Sequence, residues 1–378
     1  MSLNLGKESM PLVEEITKSI NLRNTGIIII QHGVRDAIDF ALKLKENSKA
    51  NVLFLPKPFS QNKEDLDYGE NNGLNIVNPG LNYKEGLEKE GFLENEIRNF
   101  QNKNGNYLIE VGGISAVTMK KDNIFSIKGI VEITTFGHNR HIESETSSLI
   151  PVYSIARSSI KEAEAKHVGL AVYRSLDLVL HELNRDITNC EITMVGYGMI
   201  GQNVCKAFIN RSKSINVYDK DIDKVIKATS DGFNSNTNYN YLIKNSDIII
   251  SSTGTGKHVI NEDFIEKCKN GVLLVSAGSR QNEIDMDFLE RKSKNIEDIH
   301  KFIKKYNIGG KEIFVFRDGK NANFAGNSCP SSSMDLIHAE TLYCIRNILN
   351  GKYTIGKINE TSEIEREETF NMHKKYWD

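Results

Sequence analysis

Short continuous apolar runs recur along this chain at 26–30, 51–55 and 107–111, and again at 192–195, 246–251 and 271–276. Runs of this length without polar alternation are what strands buried on both faces of a parallel sheet require. Between them, apolar residues return every three or four positions over 10–20, 36–44, 222–230 and 331–349, which predicts helices with one face on a core. Residues 158–184 keep that spacing long enough to form one extended helix leading into the strand at 192, a natural hinge. Residues 60–105 are polar with helical islands such as 83–96. Residues 130–135 lead into a loop over 136–141, residues 313–316 read as the last strand, and the last 25 or so residues are charged. Strands alternating with helices predict an α/β protein with parallel sheets.

The 378 residues exceed one ordinary core and imply two domains. The expected division is a substrate domain over 1–157, a hinge helix over 158–184, a Rossmann domain over 185–318, and a C-terminal helix and tail over 319–378 returning to the substrate domain. Charge is nearly balanced, with 48 basic against 50 acidic side chains, so nothing recommends nucleic acid as a partner. Cys190, Cys205, Cys268, Cys329 and Cys344 are scattered without metal-ligand spacing, which predicts a reducing cytoplasm, no metal site and no disulfide framework. No apolar run is long enough for a membrane span, and the first residues lack the apolar core of a signal peptide.

The most specific chemistry lies at 192–219. An apolar strand enters Gly196-Tyr197-Gly198-Met199-Ile200-Gly201, a helix follows, and a second strand ends on Asp219. Gly196 permits the tight turn, Gly198 lets the backbone approach a pyrophosphate, and Gly201 lets helix and strand pack closely. The pyrophosphate then rests on N–H groups at the helix start, near Met199 and Ile200. Asp219 accepts hydrogen bonds from a ribose and repels a 2′-phosphate, which favours NAD over NADP. Two further loops, Ser252-Thr253-Gly254 and Ala277-Gly278-Ser279-Arg280, end strands of the same half. Both should line the ligand crevice, with Ser279 and Arg280 offered to a substrate anion.

Around these motifs the chain resembles the S-adenosylhomocysteine hydrolase superfamily. Residues 129–137 (GIVEITTFG) resemble that family's GISEETTTG. Val195 to Gly201 with Asp219, Ser252-Thr253-Gly254 before Val259-Ile260, Gly278 before Glu283-Ile284-Asp285, and Asn323 before Pro330-Ser331 and Met334 follow in matching order. The resemblance implies a substrate domain and a Rossmann domain facing across a cleft, commonly in homodimers or homotetramers. It also implies enzyme-bound NAD that oxidises a ribose 3′-hydroxyl, so that homocysteine is eliminated from the acidified neighbour before the ketone is reduced again. Thr134, Thr135, Thr253, Gly254 and Asn323 keep positions that face NAD in the family.

The catalytic positions depart from the family. Its paired aspartates around Gly-Gly correspond to Glu110-Val111 and Ile114, and its second signature glutamate to Ile133. Its Lys, Asp and Asn fall near Ala163, Ala165 and Lys166, with Lys161 close by. His-Met-Thr becomes Gln31-His32-Gly33, Gly-His-Pro becomes Ser328-Cys329-Pro330, and the family's tail has no counterpart in 359–378. Proton transfer needs a titratable group within hydrogen-bond reach. The candidates are Lys161 or Lys166 as cation or base, His32 at the end of a buried strand, and His138 with His141 in the loop near the cofactor. Asp36, Lys57, Glu110 and Cys329 rank below them, and Arg140 is read as structural. The expected function is NAD-dependent oxidation or reduction of a secondary hydroxyl on a small polar, nucleoside- or sugar-like metabolite. The alternatives are a non-catalytic NAD-binding paralogue that regulates or assembles with a partner, and a true hydrolase with rearranged catalytic residues.

Overall fold

The computed structural model describes residues 10–80, 82–278, 282–326 and 328–377; Ser279 and Arg280 lie outside the described residues. The chain divides into two compact units, Met1–Glu164 with Pro330–Asp378, and Ala165–Cys329.

In chain order, the first unit opens with α1 (Pro11–Ser19), β1 (Gly26–Gly33), α2 (Arg35–Ser48), β2 (Asn51–Gln61), α3 (Lys63–Asn71), β3 (Asn75–Ile76) and α4 (Phe92–Asn99). It continues through β4 (Asn106–Glu110), α5 (Ile114–Thr118), β5 (Ile127–Glu132), α6 (Thr135–Glu143) and β6 (Val152–Ser154). The long α7 (Ser159–Glu182) starts in this unit and ends in the second. There follow β7 (Glu191–Val195), α8 (Met199–Phe208), β8 (Ser214–Tyr218), α9 (Ile222–Ser230), β9 (Asn234–Asn236), β10 (Ile248–Ser251) and α10 (Glu262–Lys267). The second unit closes with β11 (Val272–Ser276), α11 (Met286–Lys292), β12 (Ile296–His300), β13 (Ile303–Ile308) and β14 (Lys311–Phe316). The chain then returns to the first unit as α12 (Ser331–Leu349), β15 (Ile358–Asn359) and α13 (Glu363–Trp377).

Each unit holds one doubly wound sheet. The first has the order β15-β6-β5-β4-β1-β2-β3 with every pair parallel. The second, β12-β13-β14-β11-β10-β7-β8-β9, is parallel from β14 to β9. In both, strand order reverses beside the first strand of the unit, between β1 and β4 and between β7 and β10. At such a switch point the loops leaving the carboxyl ends diverge and open a crevice. The apolar runs sit where they must: residues 27–30 and 248–250 are wholly buried, with helices covering both faces of each sheet.

Three elements differ from expectation. The strand expected at 313–316 is β14, but it pairs antiparallel with β13, and β13 with β12. β12 is an edge strand with mostly exposed residues, and charged residues on an edge, useful against aggregation, hide its strand character in the sequence. Residues 136–141 form helix α6 rather than a loop: Thr134 caps it by accepting from the Gly137 N–H at 3.1 Å. The charged tail contains α13, which buries only Thr369 and so shows no apolar stripe. It is held instead by Trp377, which donates to Asp335 Oδ2 at 3.0 Å. The same carboxylate accepts the Leu12 and Val13 N–H groups at 3.1 and 3.0 Å, capping α1 from α12. Residues 319–329 stay with the second unit because Asn321 bridges to Ser276 and donates to the Gly278 carbonyl.

Candidate functional site

In the second unit, β7 runs into a turn at Gly196 with φ of +96°, where an added Cβ would collide with the Ser252 carbonyl. A Cβ at Gly201 would strike the Gly196 carbonyl, whereas Gly198 faces open space. Gly198 caps α8 without a side-chain hydrogen bond, so the first-turn N–H groups at Met199 and Ile200 point at whatever occupies that space. Asp219, buried at the end of β8, accepts the Tyr197 N–H at 2.7 Å and the Asp221 N–H at 3.0 Å, with Lys224 Nζ at 3.9 Å. Its carboxylate therefore fixes the glycine turn. Ser252, Thr253 and Gly254 leave β10, Ala277 and Gly278 leave β11, and Asn323, buried, donates to Ser328 Oγ at 2.7 Å. Open space before uncapped helix N–H groups, flanked by an acid on the next strand, fits a dinucleotide. Cys329 lies beside Ser328, with Sγ 3.7 Å from its Oγ, and none of the five cysteines is in a disulfide.

In the first unit the carboxyl ends of β1 and β2 bring together His32, Ser60, Lys57 and Lys161. His32 Nδ1 lies 2.6 Å from Ser60 Oγ. Phe59, the preceding residue, is held at φ +69°, an uncommon conformation that marks this loop as constrained. Burial, then the positive charges of Lys57 and Lys161, hold the His32 imidazole well below its ordinary range, so it is neutral near pH 7. Lys161 pairs with Glu164 at 2.8 Å one turn along α7, both largely shielded from solvent. Lys166, the other lysine candidate, is exposed.

His338, on α12 and unmarked by any motif, belongs to the same cluster. It is fully buried, stacks on Phe40 with centroids 4.2 Å apart, and lies 4.0 Å from Asp36 Oδ2. Neither ring nitrogen has a hydrogen-bond partner among the described residues. Burial, then Lys161, pushes it down to about 3. A lone histidine on a helix gives no sequence signal, because only the packing of α12 on the sheet brings it here.

A second buried cluster follows β4 and β5. Glu132 Oε1 accepts from the Gly112 N–H at 3.1 Å and from the Thr134 N–H and hydroxyl at 2.6 Å each, while Oε2 accepts the Gly113 N–H at 2.8 Å. Glu110 accepts from the Ser115 hydroxyl at 2.6 Å and N–H at 3.0 Å, and pairs with His141 Nε2 at 2.8 Å. His141 is held above its ordinary range by Glu110 against the opposing effect of burial, and Glu110 is held low by His141 and Ser115. Glu110, Glu132 and His141 have the donor types of a metal site. Their oxygens, however, already receive N–H and O–H donors, so this arrangement works as a hydrogen-bonded latch on the Gly112-Gly113 turn and α6. Arg140 strengthens it by donating to the Gly112 carbonyl at 3.0 Å and to Glu88 at 2.8 Å. His138 is buried beside His141 and Arg157, pushed down to about 4 by burial first, and its Nδ1 has no hydrogen-bond partner among the described residues. Thr135 is exposed at the start of α6, and the Thr134 hydroxyl is committed to Glu132 and Gly137.

The fold and the glycine turn define an NAD-binding α/β protein with a Rossmann-type unit. Residues 176–329 match the family model of the S-adenosyl-L-homocysteine hydrolase NAD binding domain. The second unit is thus similar to the NAD-binding domain of the S-adenosylhomocysteine hydrolase family. It is similar to the adenosylhomocysteinase of Thermoplasma acidophilum, 24% identical over 350 residues that cover 90% of this chain and 83% of that protein. It is also similar to the S-inosyl-L-homocysteine hydrolases of Methanosarcina mazei (26% identical, 60% of this chain) and Methanocaldococcus jannaschii (27%, 61%). The matched region spans only 55% and 56% of those two relatives. Among solved structures, a Ralstonia solanacearum protein bearing the name D-3-phosphoglycerate dehydrogenase oxidoreductase shares the fold, with a TM-score of 0.50, 14% identity, and coverage of 87% of this chain and 96% of that one. Among the described residues no helix is long and apolar enough to cross a membrane.

Proposed function

We propose that this chain is an NAD-dependent enzyme that oxidises or reduces a secondary hydroxyl of a small polar metabolite, nucleoside- or sugar-like. The supporting observation is the Lys161–His32 cluster, in a chain whose other unit is built to hold NAD. NAD, when bound, accepts and returns a hydride. In this reading Gly196, Gly198, Met199, Ile200, Gly201 and Asp219 hold the dinucleotide, and Ser252, Thr253, Gly254, Ala277, Gly278 and Asn323 line its nicotinamide side. Neutral His32 accepts the hydroxyl proton, and the Lys161 ammonium stabilises the oxygen while it carries negative charge. Lys166 and His138 have weaker standing, the first because it is exposed and the second because its neighbours are Arg157 and His141.

A second reading, hydrolysis of an S-nucleosylhomocysteine, is favoured by the names of the relatives. One experiment separates the two. The protein is incubated with NAD and either S-adenosylhomocysteine or S-inosylhomocysteine, with free thiol and reduced-NAD absorbance recorded together; the same absorbance is then followed with nucleosides and polyols. The first reading expects reduced NAD with a hydroxyl substrate and no thiol. Thiol release at an enzymatic rate would overturn it in favour of hydrolysis. NAD binding with neither signal would leave a regulatory paralogue.

A further inference from the structure

Glu283, between β11 and α11, was marked in the sequence only by its place in a motif, yet its carboxylate accepts four hydrogen bonds. It is buried, and its two oxygens divide their partners by type. Oε1 accepts two backbone N–H groups, from Thr253 at 2.9 Å and Gly254 at 3.1 Å. Oε2 accepts two hydroxyls, from Ser251 at 3.0 Å and Thr253 at 2.9 Å. All four donors come from the end of β10 and the loop that follows it. Glu283 also presses on the neighbouring loop: a Cβ at Gly278 would lie 2.6 Å from its Oε1. Its own backbone is pinned, since the Glu283 carbonyl accepts the N–H groups of Val259 and Ile260 at 3.0 and 2.9 Å.

We infer that Glu283 is a positioning residue that clamps the Ser252-Thr253-Gly254 loop into the shape that receives NAD, and that it acts by hydrogen-bond acceptance rather than by charge. The inference rests on the cofactor reading given above. Gly254 has φ of +63° and sits at an exposed loop, so without the clamp this segment has little to hold one conformation. A loop that must be ordered on binding lowers cofactor affinity by the cost of ordering it.

The division of partners makes a sharp test. In Glu283→Gln the amide oxygen takes the Oε1 position and keeps both backbone N–H groups. The NH2 then faces Ser251 Oγ and Thr253 Oγ1, which rotate from donors to acceptors because a hydroxyl serves as either. Glu283→Met fills a similar volume and accepts none of the four donors well. NAD is titrated calorimetrically into the full-length wild type and both variants, and amide exchange at Thr253 and Gly254 is measured without NAD. The expected result is that Glu283→Gln binds NAD within about threefold of wild type with unchanged exchange, while Glu283→Met binds at least about tenfold more weakly with faster exchange at both amides. If Glu283→Met binds NAD like wild type, even with a lowered melting temperature, the residue is merely structural and the inference fails. If Glu283→Gln is as weak as Glu283→Met, charge is what matters and the inference also fails. Should Glu283→Met not fold, Ser251→Ala, which removes one of the four donors, is expected to speed exchange at Thr253 and Gly254, and unchanged exchange would refute the clamp. A wild type that binds no NAD would sink the cofactor reading, while the exchange data would still decide the clamp.

Discussion

Replacing Glu132 with Gln changes one oxygen to an NH2 with almost no change of volume, yet the latch at Gly112-Gly113 gives it nowhere to go. Glu132 Oε1 receives two N–H groups and a hydroxyl, and Oε2 receives the Gly113 N–H. The better orientation keeps the amide oxygen at Oε1, which sets the new NH2 against the Gly113 N–H. One hydrogen bond is lost and two buried donors are left facing each other, at about 1–3 kcal/mol for each unsatisfied group. Removal of the negative charge offsets part of this, because burial and the neighbouring Glu110 both raise the Glu132 pKa. The net expectation is a loss of about 2–4 kcal/mol from the first unit. Trp377, the chain's single tryptophan, is in that unit and bonded to Asp335, so its fluorescence in a urea titration at pH 8 reports the right transition. The isosteric change at Glu283, in the second unit and followed by far-UV circular dichroism, serves as the control, since both donors at its Oε2 are hydroxyls that can reverse. A Glu132→Gln variant within about 0.5 kcal/mol of wild type would refute the reasoning that donor type, rather than charge or volume, sets the cost at these two glutamates.

Three further outcomes are expected. Gly196→Ala should abolish NAD binding by calorimetry, because the turn requires φ of +96° and its Cβ would meet the Ser252 carbonyl; retained binding would mean that the turn can be rebuilt. Lys161→Met should remove turnover while leaving NAD affinity unchanged, and Lys166→Ala should alter neither, so equal losses in the two variants would exclude the assignment of Lys161. His338 is fully buried and neutral, with its folded pKa lowered to about 3 against an ordinary value of 6.5. Its contribution to stability is therefore complete above pH 6.5 and is lost as pH falls, by about 1.4 kcal/mol per pH unit once the unfolded imidazole is protonated. His338→Phe, which can keep the stack on Phe40, should lower the acid slope of unfolding between pH 6 and 4 by about one proton, and an unchanged slope would place the titration elsewhere.

Local pattern determined much of this protein. The buried runs of β1, β4, β7, β10 and β11 read as strands because a parallel sheet buries both faces and tolerates no polar alternation. The glycine turn with Asp219 read as a dinucleotide site because each glycine answers to a local steric demand. The edge strand β12, its neighbour β13, helix α6 and helix α13 were not legible, since charged positions, a polar cap and a single buried threonine leave no apolar period to detect. His32, Lys57 and Lys161 were visible as residues, but their meeting was not: it depends on the return of β2 beside β1 and the start of α7 in the same unit. Tertiary structure alone added His338, and alone showed that Glu132 and Glu283 each hold a loop at the carboxyl end of a sheet. The reason is physical: hydrogen-bond partners of a buried side chain are set by packing over long sequence separations, and no spacing along the chain encodes them.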